Sequence, residues 1–288
     1  MEWWVFALIS AFFSALAAIG EKKALFKEGV INFIVIFSVF NFILSVPFFF
    51  FMDFSNLLFS KVVVILIKSF LEAGSFFCVM SAIKRLEISE SLPFLVLTSG
   101  LVAIFSFFIL NERLSLIEIF GLLFLLLGTY ILQFNVKQGF FSPFKIFKRK
   151  GYGFILFALV LLTTSSILDK VILKNYSVAP NVLLGFQHLF LAFIFLFVFF
   201  FRADVKEMKG LMKNSLWIIF FVSIFTIIYR YTQFLAVKDA PVALVLGIKR
   251  ISVFFAAVIG GKLFREKNLL IRTIGTAVMV LGAMLIVG

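Results

Sequence analysis

Apolar runs long enough to cross a membrane fill almost the whole chain, and the second half repeats the first. The runs lie near 3–20, 30–51, 62–83, 92–110, 116–134, 152–168, 181–201, 215–235, 241–261 and 271–287. A bilayer core about 30 Å thick takes about 20 apolar residues in a helix. Only helices and closed barrels satisfy every backbone group there. The expectation is an all-α membrane protein with ten transmembrane helices. Residues 82–132 align with 236–286 at one constant shift, without a gap. Ala82 falls on Ala236, Lys84 on Lys238, Glu112 on Glu266, Gly121 on Gly275 and Gly128 on Gly282. Glu21-Lys22, ending the first run, matches Asp169-Lys170, ending the sixth. The chain thus divides into repeats at 1–136 and 150–288, with five spans in each. Five is odd, so the two halves enter the bilayer in opposite orientations. The ten helices form two inverted five-helix repeats, a pattern of membrane transporters.

Composition removes the soluble classes. Apolar residues make up 63% of the chain and charged residues 14%, against about 25% charged in soluble domains. The net charge of +13 would suit nucleic acid, but its distribution argues otherwise. Connectors after odd-numbered spans, with the start of the last span, carry eighteen Lys and Arg, from Lys22 to Arg272. Connectors after even-numbered spans carry five: Lys61, Arg113, Lys170, Lys174 and Lys238. This positive-inside bias accounts for the charge, and no nucleic-acid partner is expected. It places both termini outside the cytoplasm. Trp3, Trp4 and Trp217 stand at span starts, where an aromatic belt would put them. A single Cys78 and a single His188 give no disulfide and no multi-histidine cage, so neither metal nor cofactor is expected. No nucleotide-binding loop or Ser/His/Asp set suggests an enzyme. The first run lacks a basic leader and a cleavage site, and counts as a helix rather than a signal peptide.

Two ordered sets of residues, one in each half, carry a family likeness. The first runs from Ala82-Ile83-Lys84 to Ile88-Ser89 and Pro93, then through Leu97-Thr98, Asn111-Glu112-Arg113-Leu114, Gly121 and Gly128. The second holds Ala236-Val237-Lys238, Ala240-Pro241-Val242-Ala243, Phe264-Arg265-Glu266 and Gly275. With these sets, essentially the whole chain resembles the drug/metabolite transporter superfamily in its ten-helix EamA-like form. The resemblance implies a multi-pass protein of the plasma (inner) membrane, monomeric or homodimeric, that moves a small-molecule substrate by secondary transport. Such families carry amino acids, nucleotide sugars, sugar phosphates and drugs, so the fold does not choose a substrate. Members are usually drawn with both termini cytoplasmic, opposite to the charge count, and the orientation stays open between the two.

Ionisable groups at membrane depth mark candidate sites. Lys249-Arg250 in the ninth span lie roughly 13 Å from its start, close to the midplane at 1.5 Å per residue. No carboxylate stands three or four residues away to neutralise them on the same helix. The pair resembles the phosphate-recognising Lys-Arg of plastid sugar-phosphate translocators in the same superfamily. Arg suits bidentate contact with phosphate or carboxylate, and Lys adds a point charge. In the eighth span Thr226, Arg230 and Gln233 share a face, with Tyr229 and Tyr231 flanking Arg230. A short turn joins these two spans, so all three cations fall in one half of the membrane. The expected substrate is an anionic metabolite, phosphorylated or carboxylated, exchanged by alternating access.

Other readings stay open. Glu72 or another carboxylate of the chain would neutralise the cations structurally. Lys68 and Glu72, four apart in the third span, would pair with each other, or Glu72 would couple transport to protons. That second option describes a proton-coupled exporter of amino acids or drugs. Asn41, with Ser38 and Ser45, and Gln187-His188 would hydrogen-bond a polar substrate or neighbouring helices. Glu112 and Glu266 read as structural helix-end residues, Ser115 to Glu118 as a capping box, and Pro93 and Gly247 as packing or gating positions. A non-transporting scaffold or lipid-headgroup-binding subunit is the alternative of another class.

Overall fold

The computed structural model describes residues 2–52, 58–85, 97–133, 152–202, 215–252, 255 and 269–287. Ten α-helices and no strand occur among them. They are α1 (Trp3–Leu25), α2 (Val30–Phe49), α3 (Phe59–Arg85), α4 (Leu97–Leu110), α5 (Leu116–Gln133), α6 (Tyr152–Lys170), α7 (Pro180–Arg202), α8 (Leu216–Asp239), α9 (Val242–Lys249) and α10 (Leu269–Val287). The ten spans read from the sequence each hold one of these helices. Six regions, α1, α2, α3, α6 with its extension, α7 and α8, are long and apolar enough to cross a membrane. Regular α9 is interrupted after eight residues at Arg250, whose N–H meets the carbonyls of both Leu246 (3.1 Å) and Gly247 (3.0 Å), and residues 251, 252 and 255 are helical again. Ile88-Ser89, Pro93, Phe264-Arg265-Glu266 and the join between the repeats lie outside the described residues.

The principal packing runs between the halves rather than within them. Helix α1 lies on α8 and α3 on α6; α2 packs on α7 and α5 on α10. Exchanging the halves turns the first pair into the second, and maps each of the other two onto itself. The same exchange relates α4 on α6 to α9 on α1. The fold is therefore an all-α membrane protein of two five-helix repeats wrapped around one shared interior. The α5–α10 crossing shows why the repeated glycines are there. A Cβ on Gly128 would meet the Gly275 carbonyl at 2.7 Å, and one on Gly121 the Gly282 carbonyl at 2.8 Å. Small residues let the backbones approach where lipid supplies no hydrophobic drive between helices.

Helix ends repeat the symmetry in atomic detail. Lys22, ending the first run, donates its ammonium to the Ile83 carbonyl near the end of α3. Lys170, its repeat mate, donates to the carbonyls of Val237 and Ala240, each at 2.6 Å, near the end of α8. Ile83 and Val237 are equivalent positions, so both halves cap their third helix with the lysine that ends their first. Cations there offset the partial negative charge of a helix C-terminus. Lys170 also pairs with Glu112 at 3.6 Å, and Glu112 accepts the Val242 N–H at 3.1 Å, capping the start of α9. Asn111 adopts positive φ (53°) just before it, which asparagine tolerates better than most residues, and turns the chain toward that contact. The capping box is formed: Ser115 N–H donates to Glu118 Oε2 at 2.6 Å, and Glu118 N–H to Ser115 Oγ at 3.3 Å. A π-helical extension, Val171–Asn175, continues α6 past Lys170.

Candidate functional site

A cavity of about 160 Å³ opens in the interior between α1, α3, α8 and the α9 end. One water needs about 10–15 Å³ by the same measure, so the space admits a small polyatomic solute. Both repeats build its wall. Ser14 to Glu21 of α1 and Glu72 to Ile83 of α3 come from the first; Tyr229, Arg230, Gln233, Lys249 and Arg250 come from the second. Thr98 of α4 and Ser166 of α6 complete the polar lining.

The geometry separates the interior charges into two groups. In the first group, Glu72 is held from three sides. Arg230 ion-pairs with its Oε1, Ser165 Oγ donates to its Oε2 at 2.8 Å, and Lys68 Nζ stands 3.5 Å from that oxygen. Lys68, fully buried, sits closer to Asp169, at 3.0 Å, and also donates to Gln187 Oε1. Asp169–Lys68–Glu72–Arg230 is thus a chain of alternating charge that crosses from one repeat to the other twice. Buried ions persist when they are paired, and each member of this chain has an oppositely charged neighbour.

The second group is Lys249 and Arg250. Lys249 donates to Gln233 Oε1 at 2.5 Å and lies 4.5 Å from the Tyr229 ring centroid. Both partners are neutral, and the ring face favours a cation above it. Arg250 Nε is buried and has no hydrogen-bond partner. Among the described residues no carboxylate lies within 4 Å of either side chain. Lys249 and Arg250 are thus adjacent basic side chains on a cavity wall, with no carboxylate within 4 Å of either among the described residues.

The structure therefore brings Lys249, Arg250, Arg230, Tyr229, Gln233 and Glu72 to one cavity. Thr226, Gln187, His188 and Asn41 are buried but do not line it. Gln187 contacts Lys68, and both Asn41 side-chain polar atoms and His188 Nε2 lack hydrogen-bond partners. Sequence reasoning passed over Glu21 and Asp169 as site residues. The available signal was their match in the repeat: two carboxylates at equivalent helix ends, each followed by a capping lysine.

A model of the EamA-like transporter family matches residues 1–134 and again 149–288. A solved crystal structure with 19% sequence identity matches with a TM-score of 0.73, over 97% of this chain and 95% of that one. That likeness is one of fold. Comparison with curated proteins finds no match.

Proposed function

This chain belongs to the EamA-like transporter family, whose members are membrane transporters, and from that premise we propose that it is a secondary transporter of a small anionic metabolite. The substrate carries a phosphate or carboxylate, which Lys249 and Arg250 bind and Arg230 faces from α8. The two repeats exchange access to the cavity by moving against each other, in the plasma (inner) membrane, as a monomer or homodimer. The carrying observation is the isolation of the Lys249–Arg250 pair. Lys68 and Arg230, on the same interior, each touch a carboxylate, whereas Lys249 meets an amide and a ring. A charge pair kept unneutralised at membrane depth is costly, and a bound anion offsets that cost.

Reconstituted protein exchanging radiolabelled phosphate monoesters and carboxylates between liposome lumen and medium tests this reading. Lys249→Ala and Arg250→Ala should each reduce exchange at least about tenfold, the loss of one charge-assisted bond, while the protein stays folded. Exchange unchanged in both variants rules out the anion site.

A further inference from the structure

We propose that Glu21 is the internal counter-anion of this site, and that it takes up one proton when a doubly charged anion occupies Lys249 and Arg250. The proposal rests on the anion-site reading above and identifies the charge class and the co-substrate. Glu21 is buried and lines the cavity. Among the described residues no Lys or Arg nitrogen lies within 4 Å of its carboxylate. Its repeat mate Asp169 is held by Lys68 on α3. The position on α8 equivalent to Lys68 is Val222, which carries no charge. The symmetry that pairs one carboxylate therefore leaves the other unpaired.

The groups around Glu21 come from each helix packed on α1. Arg230 and Tyr229 of α8, Lys249 and Arg250 of α9 and Glu72 of α3 share its cavity. Helix α2 carries no ionisable side chain over Val30–Phe49. Lys22, the next residue along α1, is engaged with the Ile83 carbonyl. Arg230 is in turn engaged by Glu72.

Charge balance then decides where a proton goes. Among the described residues, the cavity and the charge chain beside it hold Lys68, Arg230, Lys249 and Arg250 against Glu21, Glu72 and Asp169, a formal excess of one positive charge. A singly charged substrate neutralises that excess with Glu21 ionised. A dianion overshoots by one, and leaves a buried carboxylate without a counter-charge, the costliest arrangement available. Protonating that carboxylate restores neutrality. Glu72 and Asp169 each keep a cation in direct contact, so Glu21 is the acceptor. The proton comes from the water facing the cavity and binds a Glu21 oxygen. No other bond changes, and the proton leaves with the dianion on the far side. Transport is thus symport of dianion and proton.

Calorimetry of the full-length protein in nanodiscs tests this directly. Glycerol 3-phosphate and lactate are titrated at pH 7.5 in two buffers of different ionisation enthalpy, which reports protons taken up per anion bound. Wild type should take up about one proton per glycerol 3-phosphate and none with lactate. Glu21→Gln should bind glycerol 3-phosphate with no uptake, and Glu21→Asp should retain it. Equal uptake in wild type and Glu21→Gln overturns the role of Glu21. So does binding without uptake in wild type or in Glu21→Asp. Each of those results leaves the anion site standing. Failure of folded wild-type protein to bind either anion overturns both proposals together.

Discussion

Lys68 shows how much a single side chain carries at membrane depth. It lies 3.5 Å from Glu72 and 3.0 Å from Asp169, with no exposure to solvent. The Glu72 contact was legible in the sequence, because a four-residue spacing puts both groups on one helix face. The Asp169 contact was not, since it joins helices from different repeats and no local spacing encodes it. The same reason hid Glu21, which reads along the chain as a helix-end residue. Replacing one member of a buried pair strands its partner. Lys68→Met should cost about 3–5 kcal/mol in reversible unfolding from detergent, with part recovered in Lys68→Met/Asp169→Asn. A single variant as stable as wild type would deny the charge chain any part in stability.

Among the elements, the α5–α10 pair isolates the role of close packing. Equal spacing of Gly121 and Gly128 in one repeat and Gly275 and Gly282 in the other was plain in the sequence. Which helices they join was not, because identical signals fit several pairings. The structure sets Gly128 against Gly275 and Gly121 against Gly282, so the crossing runs antiparallel. Any side chain on Gly128 meets backbone, which cannot swing aside. Gly128→Leu should destabilise by at least about 1–3 kcal/mol, as overpacking does. At Gly153 of α6 an added Cβ meets nothing within 4 Å. Gly153→Ala should therefore be neutral or gain up to about 1 kcal/mol from helix propensity. Equal effects at the two sites, by thermal unfolding, would contradict the packing argument. The turn at Arg250 was likewise hidden, because no Gly or Pro beside it marks a break in the ninth run.

For the whole molecule, the number of spans, their division into halves and the opposed orientation come from apolar length and parity alone. Only the fold reveals where symmetry is kept and where it is broken. The capping lysines Lys22 and Lys170 keep it, down to the carbonyl each one meets. The cavity breaks it. Positions equivalent to Lys68, Glu72 and Arg230 are Val222, Thr226 and Phe76, so these charges are not part of what the two repeats share. Two matched halves can rock about a common interior while the unmatched residues hold one solute. The central claim is that Lys249 and Arg250 form the anion receptor of that interior. Equilibrium binding of glycerol 3-phosphate to purified wild type, Lys249→Ala and Arg250→Ala, all checked for equal thermal stability, tests it most directly. Binding should be saturable in wild type and weakened at least about tenfold in each variant. Equal affinity in all three proteins would contradict it.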